Sequence, residues 1–194
     1  METIYLVTGN SGKVASLQRK LEKYDIKVEQ KKLDLFEIQA NTLEEVSIDK
    51  AKQAFKILKK PLVVDDSGFF IDTLNGFPGV YTKYALESIG VDGIMEIMKN
   101  KENRKCSFNS VVTFVNKEGK ITVYKGDIEK GIISKEIDAE ERKEAWSELW
   151  KIFVPDGYNK TLSQFTPEER KERSFNKNNS TAFKKFANWI GENM

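Results

Sequence analysis

Three short apolar runs near the start of the chain alternate with two stretches of helical periodicity, and that order leaves few folds open. Ile4-Tyr5-Leu6-Val7 and Leu62-Val63-Val64 are continuously apolar, while Ile26-Lys27-Val28-Glu29 alternates. Over residues 12–24, Val14, Leu17, Leu21 and Tyr24 recur at the spacing of one helix face. Thr42 followed by Glu45 has the form of a capping box. The helix it starts carries Leu43, Val46, Ala51, Ala54, Phe55 and Leu58 on one side, with Pro61 just past its end. Strand, helix, strand, helix, strand folds most simply as parallel strands joined by crossover helices, because each helix must cover a sheet face. The expected fold class is therefore α/β.

Downstream the pattern changes. Gly76-Phe77-Pro78-Gly79 reads as a tight turn, followed by helices near 82–88 and 91–98. Residues 106–116 and 120–128 alternate around Asn116-Lys117-Glu118-Gly119, which signals a hairpin. Residues 138–151 are dense in charge, with Trp146 and Trp150 at helical spacing. A last amphipathic helix near 180–191 turns Phe183, Phe186, Ala187 and Ile190 inward. With 194 residues and no repeat or linker, one domain with a central mixed sheet and helices on its faces is the economical reading.

Absences narrow the chemistry. There is no histidine, which excludes Ser-His-Asp hydrolysis, histidine general acid–base catalysis and His-ligated zinc. The single Cys106 excludes an intrachain disulfide and makes a thiolate metal cage untenable. A net charge of +2 with interspersed signs disfavours nucleic acid as partner. No apolar run approaches the ~18 residues of a membrane span, and none near the start has signal-peptide form. The expectation is a cytoplasmic protein without a membrane partner, whose chemistry rests on carboxylates, lysines, hydroxyls, amides and a hard cation.

Four polar segments stand where local structure does not demand them. Thr8-Gly9-Asn10-Ser11-Gly12-Lys13 follows a strand and opens a helix, where backbone N–H groups and a cation suit a phosphate chain. It is not a Walker A loop, which would need Gly at position 7 and Ser or Thr at position 14, where Val7 and Val14 stand. Glu37-Ile38-Gln39 precedes the capped helix, Lys50 lies on it, and Asp65-Asp66-Ser67-Gly68 follows the third apolar run. Singly, each has an ordinary reading as a glycine-bearing turn, a surface loop, a solvated lysine or a polar turn. Together they fit one hypothesis, since ligands of open α/β sheets bind beyond strand carboxyl ends. Adjacent aspartates there suit Mg²⁺, which offsets polyphosphate charge, and one aspartate can take a proton from an attacking water.

Thr8-Gly9-Asn10-x-x-Lys13, Glu37-Ile38-Gln39, Thr42-Leu43-Glu44-Glu45, Lys50-Ala51, Asp65-Asp66-Ser67-Gly68-Phe69 and Asn75-Gly76-Phe77-Pro78-Gly79-Val80-Tyr81 occur in this order. In them the chain resembles the inosine/xanthosine triphosphate pyrophosphatases, above all the archaeal members. The resemblance is strong in the N-terminal half and weaker through Ile152-Phe153-Val154-Pro155 and Thr166-Pro167-Glu168-Glu169. It implies an elongated two-lobed fold with a long mixed sheet, an active-site cleft between lobes, and a homodimer. It implies hydrolysis of a nucleoside triphosphate to monophosphate and pyrophosphate with Mg²⁺, a house-cleaning activity on non-standard purine nucleotides. By position, Thr8, Asn10, Lys13 and Lys50 would hold phosphates, supported by Ser67 and Gly68. Asp66, Lys13 and Glu37 would be catalytic, and Glu37, Asp65 and Asp66 would hold the metal.

The departures lie on the base-reading side. The family's Phe-Gly-Tyr-Asp-Pro-like run is replaced by Ser147-Glu148-Leu149-Trp150-Lys151, and its Ser-His-Arg by Ser174-Phe175-Asn176. The acidic position three after the lysine is Ser16. Trp146 or Trp150 is left to stack on a base, Trp150 being the one taken with Arg170 as substrate-binding. Losing polar partners of a 6-keto purine implies altered or relaxed base preference. The alternative is a nucleotide-binding or regulatory protein that keeps the phosphate site without turnover.

Overall fold

The computed structural model describes residues 2–139, 145, 147–176 and 181–193, with backbone only at 171 and 174–176. In chain order the elements are β1 (Glu2–Val7), α1 (Ser11–Leu21), β2 (Ile26–Lys31), α2 (Leu43–Leu58), β3 (Leu62–Ile71), β4 (Pro78–Gly79), α3 (Thr82–Met98), β5 (Lys105–Val115), β6 (Ile121–Lys125), β7 (Glu129–Ile133), β8 (Phe153–Pro155), α4 (Pro167–Asn176) and α5 (Ala182–Asn193). The strands form a mixed sheet in the order β2-β1-β3-β5-β7-β8, with β4 paired to β3 and β6 to β5. The α/β class with a central mixed sheet flanked by helices is as expected.

The chain divides into two compact units, Met1–Ser67 with Ser110–Asp127 and Ser180–Met194, and Gly68–Asn109 with Ile128–Asn179. In the first unit β1 pairs in parallel with both β2 and β3. Side chains alternate across these strands, so each face collects its own core. Ile4, Leu6 and Val63 pack with Leu17 and Leu21 of α1 and Phe186 and Ile190 of α5. Val7, Leu62 and Val64 pack with Ala51 and Ala54 of α2 on the opposite face. Each fully buried side chain of this size contributes roughly 1.5–3 kcal/mol of transfer free energy. In the second unit β5, β7 and β8 are antiparallel, and Phe108 packs against Phe69 and Phe153 with ring centres 4.7 and 4.9 Å away.

The capping box forms as read: the Glu45 amide donates to Thr42 Oγ1, and the Glu45 carboxylate accepts from the Thr42 amide. The helix expected over 12–24 is α-helical to Leu21, then a 3₁₀ turn over Glu22–Tyr24. The two helices expected near 82–88 and 91–98 appear as α3, broken at Gly90, whose φ of 65° leaves the helical region. The strand expected over 120–128 is β6, which stops at Lys125, and β7 starts only at Glu129. The chain leaves β5 after Lys125, where a Cβ on Gly126 would lie 2.5 Å from Ser110 Oγ, and returns as β7 against the other half of β5. Asp65–Gly68 does not follow the third strand but lies inside it, because β3 continues past Val64 to pair Phe69 and Phe70 with β4. Of residues 138–151, Glu148–Lys151 is a 3₁₀ turn, while Trp146 lies outside the described residues. No helix among the described residues is long and apolar enough to cross a membrane.

Candidate active site

The site grows from the point where β1 ends and β3 does not. The parallel register pairs Val7 with Val64, after which β1 turns away at Thr8 to begin α1. Asp65 and Asp66 therefore project from β3 with no β1 residue opposite them. Val63 faces the α1 and α5 side and Val64 the α2 side. By alternation Asp65 takes the first face and Asp66 the second. The ion pairs agree: Asp65 Oδ1 meets Lys13 Nζ of α1, and Asp66 Oδ2 lies 3.1 Å from Lys50 Nζ of α2. Lys50 Nζ also lies 2.5 Å from Glu37 Oε2. Two ammonium groups thus meet three carboxylates across one strand, and the sum is one negative charge.

These charges are largely withdrawn from water. The Asp65 and Asp66 side chains are 6% and 15% exposed, those of Lys13 and Lys50 19% and 18%. Burial pushes the Asp66 carboxyl above its ordinary value against the pull of Lys50, and the Glu37 and Asp65 charges push the same way. Burial works to lower the Lys50 ammonium, but Asp66 and Glu37 outweigh it and hold it above its ordinary value.

The loop before α1 is ordered by its own side chains. Asn10 Oδ1 accepts from the Gly12 and Lys13 amides at 2.9 and 3.4 Å, and Thr8 Oγ1 accepts from the Asn10 amide at 3.1 Å. Two of the N–H groups that the sequence offers to a phosphate are thus taken by the Asn10 cap. Gly9 is different: a Cβ there would meet nothing within 4 Å, so no protein neighbour requires glycine. Gly68, by contrast, is buried, and a Cβ would lie 2.5 Å from the Gly79 carbonyl oxygen, so β3–β4 packing alone explains it. Ser67 is exposed, and its amide donates to Asp66 Oδ1 at 3.0 Å.

Thr8, Asn10, Lys13, Glu37, Lys50, Asp65, Asp66 and Ser67 all belong to the first unit. Trp150 and Arg170 belong to the second, where the Arg170 guanidinium stands 5.8 Å from the Trp150 ring centre. The side chains of Ser174, Phe175 and Asn176 lie outside the described residues. Two glutamines escaped the sequence reading. Gln30 Nε2 donates to the Thr8 carbonyl at 2.9 Å, and Gln53 holds the backbone of Phe36. Neither carries a signal at its own position, since a glutamine on a strand or a helix face is ordinary until its partner is known.

Among the described residues no three acids converge closely enough to hold a metal ion by themselves. Glu37 and Asp66 nevertheless surround one cation, the Lys50 ammonium. Mg²⁺ is commonly held by one or two carboxylates completed by waters and phosphates, so this pair fits it in donor chemistry.

Comparison with known proteins places the chain. The Ham1 family matches residues 4–189. The dITP/XTP pyrophosphatase of Thermococcus kodakarensis is 35% identical over 188 residues, covering 97% of each chain. That of Methanopyrus kandleri is 35% identical over 191 residues, covering 98% of this chain and 97% of the relative. The structure of the Staphylococcus aureus Ham1 protein superposes with a TM-score of 0.80 at 22% identity over all of both chains, a likeness of fold.

Proposed function

The chain belongs to the Ham1 family, and from that we propose that it hydrolyses a nucleoside triphosphate to the monophosphate and pyrophosphate with Mg²⁺. The observation that carries the reading is the pair of lysine–carboxylate clusters on β3, Lys13 with Asp65 and Lys50 with Asp66 and Glu37. Lys13 and Lys50 would move from carboxylate to phosphate oxygens when the substrate enters. The Thr8 hydroxyl and Asn10 Nδ2 would steady the phosphate chain, with Gly9 leaving room for its approach. Asp66 would take the proton of the attacking water as the new P–O bond forms and the α–β phosphoanhydride bond breaks, releasing pyrophosphate. A raised pKa suits Asp66 to that proton transfer. Glu37 and Asp66, with Asp65 once freed from Lys13, would hold Mg²⁺, which offsets charge on the leaving pyrophosphate.

House-cleaning of dITP- and XTP-like nucleotides follows from the relatives' names, but the base side of this chain is its own. Trp150 and Arg170 would serve the base, and the rewritten Ser174-Phe175-Asn176 supports relaxed base preference. A panel of inosine, xanthosine and ordinary nucleoside triphosphates, assayed for pyrophosphate release with Mg²⁺, tests both halves. Turnover with similar kcat/KM across bases is expected. A preference beyond ~100-fold for inosine or xanthosine overturns the relaxed-base reading. Tight binding with no release for any base favours a regulatory nucleotide binder instead. The same reading carries a cytoplasmic homodimer without nucleic-acid partner, and light scattering checks its mass.

A further inference from the structure

Glu37 is 42% exposed and lies in residues 32–41, which belong to no helix or strand. A carboxylate so placed stays on Lys50 only if its backbone is held. Before it, Leu33 and Leu35 anchor the segment in the core beneath α2, and after it the Asn41 amide bonds Glu45. Between these anchors the Phe36 ring is 74% exposed and anchors nothing. The Phe36 backbone, however, is gripped on both sides by one side chain. Its N–H donates to Gln53 Oε1 at 3.0 Å, and Gln53 Nε2 donates to its carbonyl at 2.7 Å. The same nitrogen donates to Asp49 Oδ2 at 2.6 Å, which fixes which end of the amide is which. Asp49, Lys50 and Gln53 lie within one turn of α2, with Gln53 three and four residues beyond the other two and so on their face.

We infer that Gln53 is a positioning residue: it clamps the backbone one residue before Glu37 and so sets the Glu37 carboxylate over the same helical turn that presents Lys50. The inference deepens the proposed function and rests on it for the consequence in metal binding. Outer-sphere partners that aim a ligand carboxylate typically matter about 10-fold in metal affinity.

Two measurements test it. In ¹⁵N relaxation on the free protein, Gln53→Met should drop the order parameters of the Phe36 and Glu37 amides below about 0.6, with α2 unchanged. Gln53→Glu, which keeps an acceptor but loses the donor, should do the same. By calorimetry with a non-hydrolysable triphosphate analogue, Gln53→Met should raise the Mg²⁺ concentration for half-maximal binding about 10-fold. In a Glu37→Gln background it should add nothing, because the effect runs through Glu37. Rigid amides in both variants, or an undiminished effect without Glu37, overturn the inference. Loosened amides in a protein that binds no triphosphate leave the clamp standing and overturn the function instead.

Discussion

Replacing Lys50 by methionine keeps the length of the side chain and removes the cation between Glu37 and Asp66. Asp66, 15% exposed, would lose a charged contact at 3.1 Å and face two other carboxylates. Charge-assisted hydrogen bonds of this kind contribute about 1.5–3 kcal/mol, and the more exposed Glu37 contact adds less than about 1 kcal/mol. A net loss near 2 kcal/mol corresponds, for a chain of this size, to a fall in Tm of about 4–8 °C. Because the Lys50 pKa is raised on folding, its contribution is complete below the ordinary value of 10.5 and disappears as pH rises through the folded value. The two proteins should therefore differ across neutral pH and converge in strong alkali, and also in acid once Glu37 and Asp66 are protonated. Thermal unfolding of both, with and without MgCl₂, makes the assay. A divalent cation can replace the missing ammonium, so Mg²⁺ should restore much of the variant's Tm while moving the wild type little. An unchanged Tm at pH 7.5, or an equal Mg²⁺ effect on both proteins, would refute the argument that Lys50 is the internal counter-ion of these acids.

Asp66→Asn should abolish pyrophosphate release while circular dichroism shows the fold retained; wild-type turnover would remove Asp66 from the mechanism. Since burial raises the Asp66 pKa above its ordinary 3.8 and the ionised form is the working one, the acidic limb of kcat/KM against pH should lie above that value. Gly9→Ala places a methyl group where no protein atom lies within 4 Å, so Tm should hold while triphosphate binding by calorimetry weakens; unchanged binding would show that substrate does not approach there. Phe186→Ala opens a fully buried position shared by Phe114 and Tyr124 and should cost about 3–5 kcal/mol in urea unfolding, with the site's chemistry untouched in the remaining folded protein.

Local features were legible from local sequence. The capping box at Thr42 and Glu45, the break at Gly90 and the hairpin turn, whose Asn116 Oδ1 accepts from the Glu118 and Lys120 amides, each depend on residues within a few positions. The continuation of β3 through Asp65–Gly68 was not legible, because polar residues after an apolar run look the same in a loop and in a strand whose next partner is distant. α4 escaped as well. Its charged residues make no clear apolar stripe, although the Thr166 and Glu169 side chains cap its start with two reciprocal hydrogen bonds.

From its residues alone the chain declares an α/β fold with parallel first strands, a chemistry without histidine, and the acids and lysines that the proposed function uses. The tertiary structure alone decides which lysine each acid meets. Two aspartates adjacent in sequence become opposite in space once they lie in a strand, and helices covering different faces of the sheet bring Lys13 to one and Lys50 to the other. The glutamines that hold Thr8 and Phe36 come from the same source. A hydrogen bond between residues 17 or 22 positions apart exists only after the sheet and its helices have assembled.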